Sequence, residues 1–82
     1  MSKSIRSSKH QHLLEVLIAA RGKAGLTQAA LAGRIGRPQS FVAKYENGER
    51  RLDVVEFVEL VEAMGDSPKK VFARFVSLAA WP

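Results

Sequence analysis

The side chains that could bind a metal or carry out acid–base catalysis are few and poorly placed. The chain has no cysteine, and its two histidines, His10 and His12, lie two residues apart. On a helix that spacing points the rings in different directions, whereas metal-binding histidines on a helix prefer a spacing of four. Glu56, Glu59 and Glu62 lack a histidine or nucleophile beside them, so a solvated acidic stripe is expected. We therefore expect no metal, no cofactor and no enzymatic activity.

Lysine and arginine are concentrated in the first two-thirds of the chain. Residues 1–51 hold ten of them against three Asp and Glu, a net charge of +7, whereas residues 52–82 have a net charge of −2. Such a basic region suits a polyanion such as DNA, although surface charge also serves solubility alone. Eighty-two residues suffice for one domain, and no apolar stretch approaches the roughly 20 residues that cross a bilayer. Without cysteine or a signal-peptide pattern, the chain is expected to be cytoplasmic.

Apolar residues at helical spacing predict five helices and no β-strand. The first three helices are expected at residues 8–23, 28–35 and 38–46. Thr27 is the expected N-cap of the second helix, and Gly36 ends it because only glycine adopts a left-handed turn at no steric cost. Pro38 is placed in the first turn of the third helix, where its missing N–H is not needed. The apolar stripe of the first helix is expected to consist of Leu13, Leu14, Leu17 and Ile18.

Capping signals introduce the fourth and fifth helices. Asp53 and Glu56 form a capping box at the start of the fourth helix, and Gly65 ends it. Ser67 followed by Pro68 starts the fifth helix. The apolar side of the fourth helix is expected to consist of Val54, Phe57, Val58, Val61 and Met64. The predicted organisation is a flexible basic N-terminus at residues 1–8, one domain at residues 9–78 and an apolar tail at residues 79–82.

Residues 27–47 predict two short helices joined by a tight glycine turn, which is a helix-turn-helix unit. In such a unit the first helix braces the second, and the second presents its outer face to the major groove of DNA. Val42 and Tyr45 are spaced to face inward, and Phe41 is expected to be partly buried. The predicted function is therefore DNA binding.

An ordered set of signals runs through this unit and the fourth helix. The signals are Leu26-Thr27-Gln28, Leu31-Ala32, Gly36, Glu46-Asn47-Gly48 and the apolar fourth helix. The set resembles the lambda-repressor/Cro-like family of helix-turn-helix regulators, also called the XRE family, over about residues 10–75. The resemblance implies an all-α, compact five-helix DNA-binding domain with its helix-turn-helix at the second and third helices.

The same resemblance implies roles for individual residues. The implied base-contacting residues are Gln39, Ser40, Ala43 and Lys44. The implied backbone-contacting residues are Gln28, Arg37, Asn47, Arg50 and Arg51. Arg21 and Glu46 match a pair that ties the first helix to the end of the third; an exposed ion pair would contribute only about 0–1 kcal/mol. Pro38 departs from the family, which usually has a Ser or Thr cap there.

The implied function is sequence-specific transcriptional regulation, as a repressor, by a homodimer on a palindromic operator. The fifth helix and the tail hold more apolar residues than one thin core covers, which favours an interface there. The expected dimer-interface residues are Phe72, Phe75, Val76, Leu78 and Trp81. An antitoxin-type module that binds a protein partner as well as double-stranded DNA is the alternative. Activation instead of repression, and a phage, restriction-modification or host setting, are equally compatible with the sequence.

Overall fold

The computed structural model describes residues 8–78, which form five α-helices and contain no strand. The helices are α1 (Ser8–Lys23), α2 (Gln28–Arg34), α3 (Gln39–Glu46), α4 (Val54–Ala63) and α5 (Pro68–Leu78). The predicted all-α class and the bounds of the first helix are confirmed. The expected flexible N-terminus and the apolar tail with Trp81 fall largely or wholly outside the described residues.

Local capping chemistry determines where the helices begin. The Thr27 hydroxyl accepts a hydrogen bond from the Ala30 N–H at 3.0 Å, as predicted for an N-cap. The capping box at the start of α4 is complete, because both of its reciprocal hydrogen bonds are present. The Ser67 hydroxyl accepts from the third residue of α5 in the same way. Each such cap contributes about 1 kcal/mol.

The prediction for the start of α3 was wrong by one residue. Pro38 is the N-cap of α3, with an extended backbone (ψ 154°), and lies outside the first helical turn. Proline restricts φ to about −65° but leaves ψ free, so it fits an extended cap as well as a first turn. Gly36 has a φ of 69°, and this left-handed residue reverses the chain between α2 and α3 as predicted.

One hydrophobic core joins all five helices. The completely buried apolar side chains are Leu17, Leu31, Val42, Tyr45, Leu60, Val61 and Val71. In α1 the predicted stripe is wrong at one position, because Ile18 is exposed and Val16 is buried in its place. Neighbouring helix positions differ by about 100°, so Ile18 points away from the core that Leu17 enters. Within residues 8–78, no helix is both long and apolar enough to cross a membrane.

The apolar face of α4 matches the predicted one at four of its five residues, and it differs at Val54 and Leu60. Val54 is exposed at the first turn, whereas Leu60 is completely buried. The expectation that Glu56 belongs to a solvated stripe is also wrong, because this residue is only 8% exposed. The buried carboxylate accepts three hydrogen bonds from N–H groups of neighbouring arginines and one from the backbone N–H of Asp53. These bonds compensate the cost of removing its charge from water. Glu59 and Glu62 are exposed as predicted.

Candidate nucleic-acid interface

The turn between α2 and α3 is short and internally hydrogen-bonded. The backbone N–H of Arg37 donates to the carbonyl of Ala32 at 3.0 Å, and Gly36 donates to Gly33 at 3.3 Å. Arg34, the last residue of α2, donates from its guanidinium to the Ala63 carbonyl at the end of α4 (2.8 Å). These bonds fix the C-terminal end of α2, so α2 can brace α3.

The two faces of α3 have opposite character. Phe41, Val42 and Tyr45 are buried in the core, and the Phe41 and Tyr45 rings meet edge to face with centroids 5.7 Å apart. Among the predicted base-contacting residues, Gln39, Ser40 and Lys44 are exposed and Ala43 is half-buried. The helix therefore presents amide, hydroxyl and ammonium groups outward, which are the groups that hydrogen-bond base edges.

A chain of side-chain hydrogen bonds leads from α1 to the outer face of α3. The Arg21 guanidinium donates to both carboxylate oxygens of Glu46, at 2.7 and 2.9 Å. Gln28 donates its amide to Glu46 at 2.8 Å and accepts from the Gln39 amide at 3.2 Å. Arg21 also donates to the Leu26 carbonyl at 2.9 Å, ahead of α2. We name these four side chains, Arg21, Glu46, Gln28 and Gln39, the polar relay.

The pair inside the polar relay is not a surface ion pair. The Glu46 side chain is 7% exposed and that of Arg21 is 18% exposed. The hydrogen bond to Glu46 raises the pKa of Arg21, against the opposing effect of burial. A bidentate pair in this environment is stronger than an exposed one, so the value for an exposed pair does not apply here. Breaking it would leave an uncompensated charge in the interior.

Arg37 and Arg50 both donate hydrogen bonds to the carboxylate of Glu56, beside α3. Arg50 donates to both oxygens of Glu56 at 3.0 Å, and Arg37 donates to one of them at 3.2 Å. Both guanidinium groups lie over the Phe41 ring, with their central carbons 4.3 Å (Arg37) and 4.8 Å (Arg50) from its centroid. We name this group of Arg37, Phe41, Arg50 and Glu56 the arginine bracket.

The arginine bracket shifts the ionisation of its carboxylate. Hydrogen bonds from Arg50 and from the Asp53 backbone lower the pKa of Glu56 from 4.5 to about 2, with a smaller contribution from Arg37. The hydrogen bond to Glu56 in turn raises the pKa of Arg50. Glu56 and Arg50 are therefore both charged at neutral pH, and since a guanidinium is always protonated in proteins, two positive charges face one negative charge. A net positive group next to the exposed face of α3 suits a phosphate backbone.

The remaining predicted backbone-contacting residues are Asn47 and Arg51, which follow α3, and Gln28, which begins α2. Asn47 and Arg51 are exposed, and the Asn47 amide donates to the Glu49 carboxylate at 3.1 Å. Gln28 is half-buried at the start of α2. The predicted DNA-contacting residues thus lie along α3, at the start of α2, in the turn before α3 and in the loop after it.

Sequence reasoning missed the role of Glu56 and the buried position of Phe41 beneath two cations. The capping box marked Glu56 as fixed at the start of α4, six residues after Arg50. Its second partner, Arg37, is 19 residues away. Arg37 and Glu56 come into contact only because the start of α4 packs beside the turn before α3, so no local sequence pattern reveals this contact.

In a metal site, several ligand side chains must lie close together. Within residues 8–78, no group of three or more His, Cys, Asp or Glu side chains is placed to hold a metal ion. A groove of about 420 Å³ lies between α1 and α5, and no residue of α3 lines it. Its lining consists of His12, Glu15, Val16, Ala19, Ala20, Lys23 and Arg74.

Comparisons with known proteins agree with this geometry. A family model described as a helix-turn-helix domain matches residues 12–69. The chain is similar to a solved structure of an XRE-family like protein from Pseudomonas syringae pv. tomato str. DC3000, with a TM-score of 0.85. The two sequences are 45% identical, and the match covers 94% of each chain. None of the curated proteins matches the sequence. The chain therefore belongs to the XRE family of helix-turn-helix DNA-binding proteins, a family without enzymatic activity.

Proposed function

We propose that this protein is a sequence-specific transcriptional regulator that reads the major groove with α3 and acts as a repressor by occupying its operator. The observation that carries the proposal is the division of α3 into a buried apolar face and an outer face with Gln39, Ser40 and Lys44. A glutamine pairs bidentately with adenine, and a lysine reaches guanine or a phosphate. The protein would act in the cytoplasm of a bacterium or in a phage-infected cell, where such operators lie.

Backbone contacts would come from groups on both sides of α3. Arg37 and Arg50 are positively charged groups of the arginine bracket, Arg51 is exposed in the following loop, and Asn47 and Gln28 supply amides. Phosphate contacts of this kind position a protein on the duplex, whereas base contacts select the sequence. We therefore propose that these five residues fix the position of the protein on the duplex. Base contacts that select the sequence would come from Gln39, Ser40, Ala43 and Lys44.

We propose further that the protein binds as a homodimer through α5. Phe72 is 54% exposed and Val76 is 44% exposed, one helical turn apart on the same face. The rings of Phe57 and Phe72 lie with centroids 6.2 Å apart, and those of Phe72 and Phe75 lie 6.0 Å apart. A cluster of partly exposed aromatic rings is typical of an interface. Leu78 and Trp81 are included in the proposed interface because of the apolar sequence alone.

A selection from a pool of random DNA duplexes tests the main proposal. The expected product is a palindrome whose half-sites lie about one helical turn apart, because one helix reads only a few base pairs. Recovery of no preferred sequence would contradict specific reading. A recovered site without two-fold symmetry would contradict the dimer but not the reading by α3.

The dimer has its own test in light scattering at high micromolar concentration. Phe72→Glu is expected to shift the mass to that of a monomer, whereas Ile18→Glu, at an exposed apolar position on α1, is the matched control. A wild-type protein that stays monomeric would contradict the homodimer. Recovery of one stoichiometric protein partner on this face from a native lysate would instead favour the antitoxin-type function.

A further inference from the structure

The arginine bracket places a fixed carboxylate behind two cations. Glu56 Oε1 accepts from the backbone N–H of Asp53 at 3.0 Å and from Arg50 at 3.0 Å, and Oε2 accepts from Arg50 and Arg37. Glu56 occupies the third position of α4, and its capping-box bond gives the side chain one orientation. The carboxylate is therefore a rigid anchor, and the arginine side chains adapt to it.

The arginines that this anchor holds are still accessible. The side chains of Arg37 and Arg50 are 37% and 40% exposed, whereas that of Glu56 is 9% exposed. One carboxylate meets two guanidinium groups, so one positive charge remains uncompensated. The Phe41 ring below them limits their motion further, since cations are attracted to the face of an aromatic ring. The bracket thus presents two oriented donors to the solvent next to the start of α3.

The geometry points to Glu56 as a positioning residue for DNA binding, which holds Arg37 and Arg50 in the orientation that the phosphate backbone requires. This inference rests on the proposed function. A long side chain that is already ordered loses less conformational freedom on binding than a mobile one, so preorganisation increases affinity. Glu56 itself would not touch DNA, because it lies beneath the arginines.

The test compares two variants that change the net charge equally. Glu56→Gln removes the charge that holds the arginines but keeps a side chain that fits a capping box. Glu59→Gln removes an exposed carboxylate on the same helix. With the duplex selected by the wild-type protein, E56Q is expected to bind about tenfold more weakly than E59Q, the scale of losing preorganised long side chains. Circular dichroism melting shows that both variants are folded at the assay temperature.

A double-mutant cycle separates positioning from a general structural role. In an Arg37→Ala/Arg50→Ala background, the tenfold effect of E56Q on affinity is expected to fall below about twofold, because Glu56 then has no arginine to position. A penalty that persists in this background would overturn the inference. Equal affinity of E56Q and E59Q, or tighter binding by E56Q, would overturn it as well.

A measurement without DNA completes the test. Nuclear magnetic resonance relaxation of the Arg37 and Arg50 Nε–H groups measures the motion of these side chains. We expect both side chains to be ordered in the free wild-type protein and to move rapidly in E56Q. Equal motion in both proteins would overturn the inference. A wild-type protein that binds no duplex would instead refute the proposed function, and positioning for DNA with it.

Discussion

The side-chain amide of Gln39 donates a hydrogen bond to the amide oxygen of Gln28 at 3.2 Å, and Gln28 in turn donates to Glu46 at 2.8 Å. Gln39 is exposed at the first position of α3. Its amide is therefore oriented by the protein before any DNA is present. A preoriented amide loses less conformational entropy when it pairs with a base, which favours discrimination by this residue.

Replacement of Gln39 by alanine is expected to relax base choice at one position in each half-site. The loss at that position should be about 1–3 kcal/mol, with little change at the others, because the proposed bidentate amide–adenine contact would be removed. Competition binding against all single-base variants of the selected duplex measures this. Gln11→Ala, an exposed glutamine on α1, is the control. Equal weakening at every site would show that Gln39 does not read a base.

Replacement of Arg51 by alanine is expected to weaken binding to all sequences alike. Arg51 is exposed in the loop after α3, and loss of one phosphate contact should reduce the slope of log affinity against log salt by about one. Fluorescence anisotropy titrations over a range of salt concentrations measure the slope. Lys69→Ala removes an exposed charge from α5 and should leave the slope unchanged. The same slope in both variants would remove Arg51 from the proposed contacts.

The features that the sequence predicts well are those determined within a few residues. Thr27, Asp53 and Gly36 act through the backbone of their own turns, so residue type and position are sufficient to place them. The helix-turn-helix follows from these signals and from the inward spacing of Val42 and Tyr45. The outward face of α3 follows in turn, since it is the complement of the buried face.

The features that the sequence predicts poorly depend on how distant segments pack. Ile18 and Val16 are both apolar, and the position of the packed helices decides which is buried. Glu56 repeats with Glu59 and Glu62 at helical spacing, but only Glu56 meets arginines from the turn before α3 and from the following loop. Its burial is a tertiary effect, so the local pattern was typical of a solvated stripe.

Replacement of Arg21 by alanine is expected to destabilise the protein by about 3 kcal/mol. The reason is that the Glu46 carboxylate, whose side chain is 7% exposed, would lose both bonds from the guanidinium. Urea unfolding followed by circular dichroism measures the change. In the control, Arg21→Ala/Glu46→Ala removes the charge as well and should cost less than the sum of the single changes. A loss below about 1 kcal/mol for Arg21→Ala would place the pair among exposed ion pairs.

Replacement of Tyr45 by phenylalanine is expected to leave stability unchanged or to raise it by up to about 1 kcal/mol. Tyr45 is completely buried, and its hydroxyl has no hydrogen-bond partner among residues 8–78. Burial raises the pKa of Tyr45, so the phenol stays protonated while the protein is folded. Urea unfolding measures the difference, and Tyr45→Ala, which should cost about 3–5 kcal/mol, is the control for packing. A loss above 1 kcal/mol in the phenylalanine variant would contradict an unpartnered hydroxyl.

Acid should remove the stabilisation that Glu56 provides. Hydrogen bonds from Arg50 and from the Asp53 backbone lower the pKa of Glu56 from 4.5 to about 2, so the folded protein binds this proton more weakly than the unfolded chain. The contribution is therefore complete above about pH 4.5 and is lost as the pH falls towards 2. At neutral pH, Glu56→Gln is expected to be less stable than the wild type by about 1–2 kcal/mol, the scale of hydrogen bonds to a charged group.

That difference in stability is expected to shrink towards zero near pH 2, because a protonated Glu56 resembles glutamine in charge. Urea unfolding of both proteins at a series of pH values measures it, and the other carboxylates titrate in both proteins and cancel in the comparison. Glu59→Gln should match the wild type throughout, since Glu59 is exposed on the same helix. A gap between E56Q and wild type that stays constant from neutral pH to about pH 2 would show that the stabilisation does not come from the Glu56 charge, and the ion pairs with Arg37 and Arg50 would then contribute nothing to the free energy of folding.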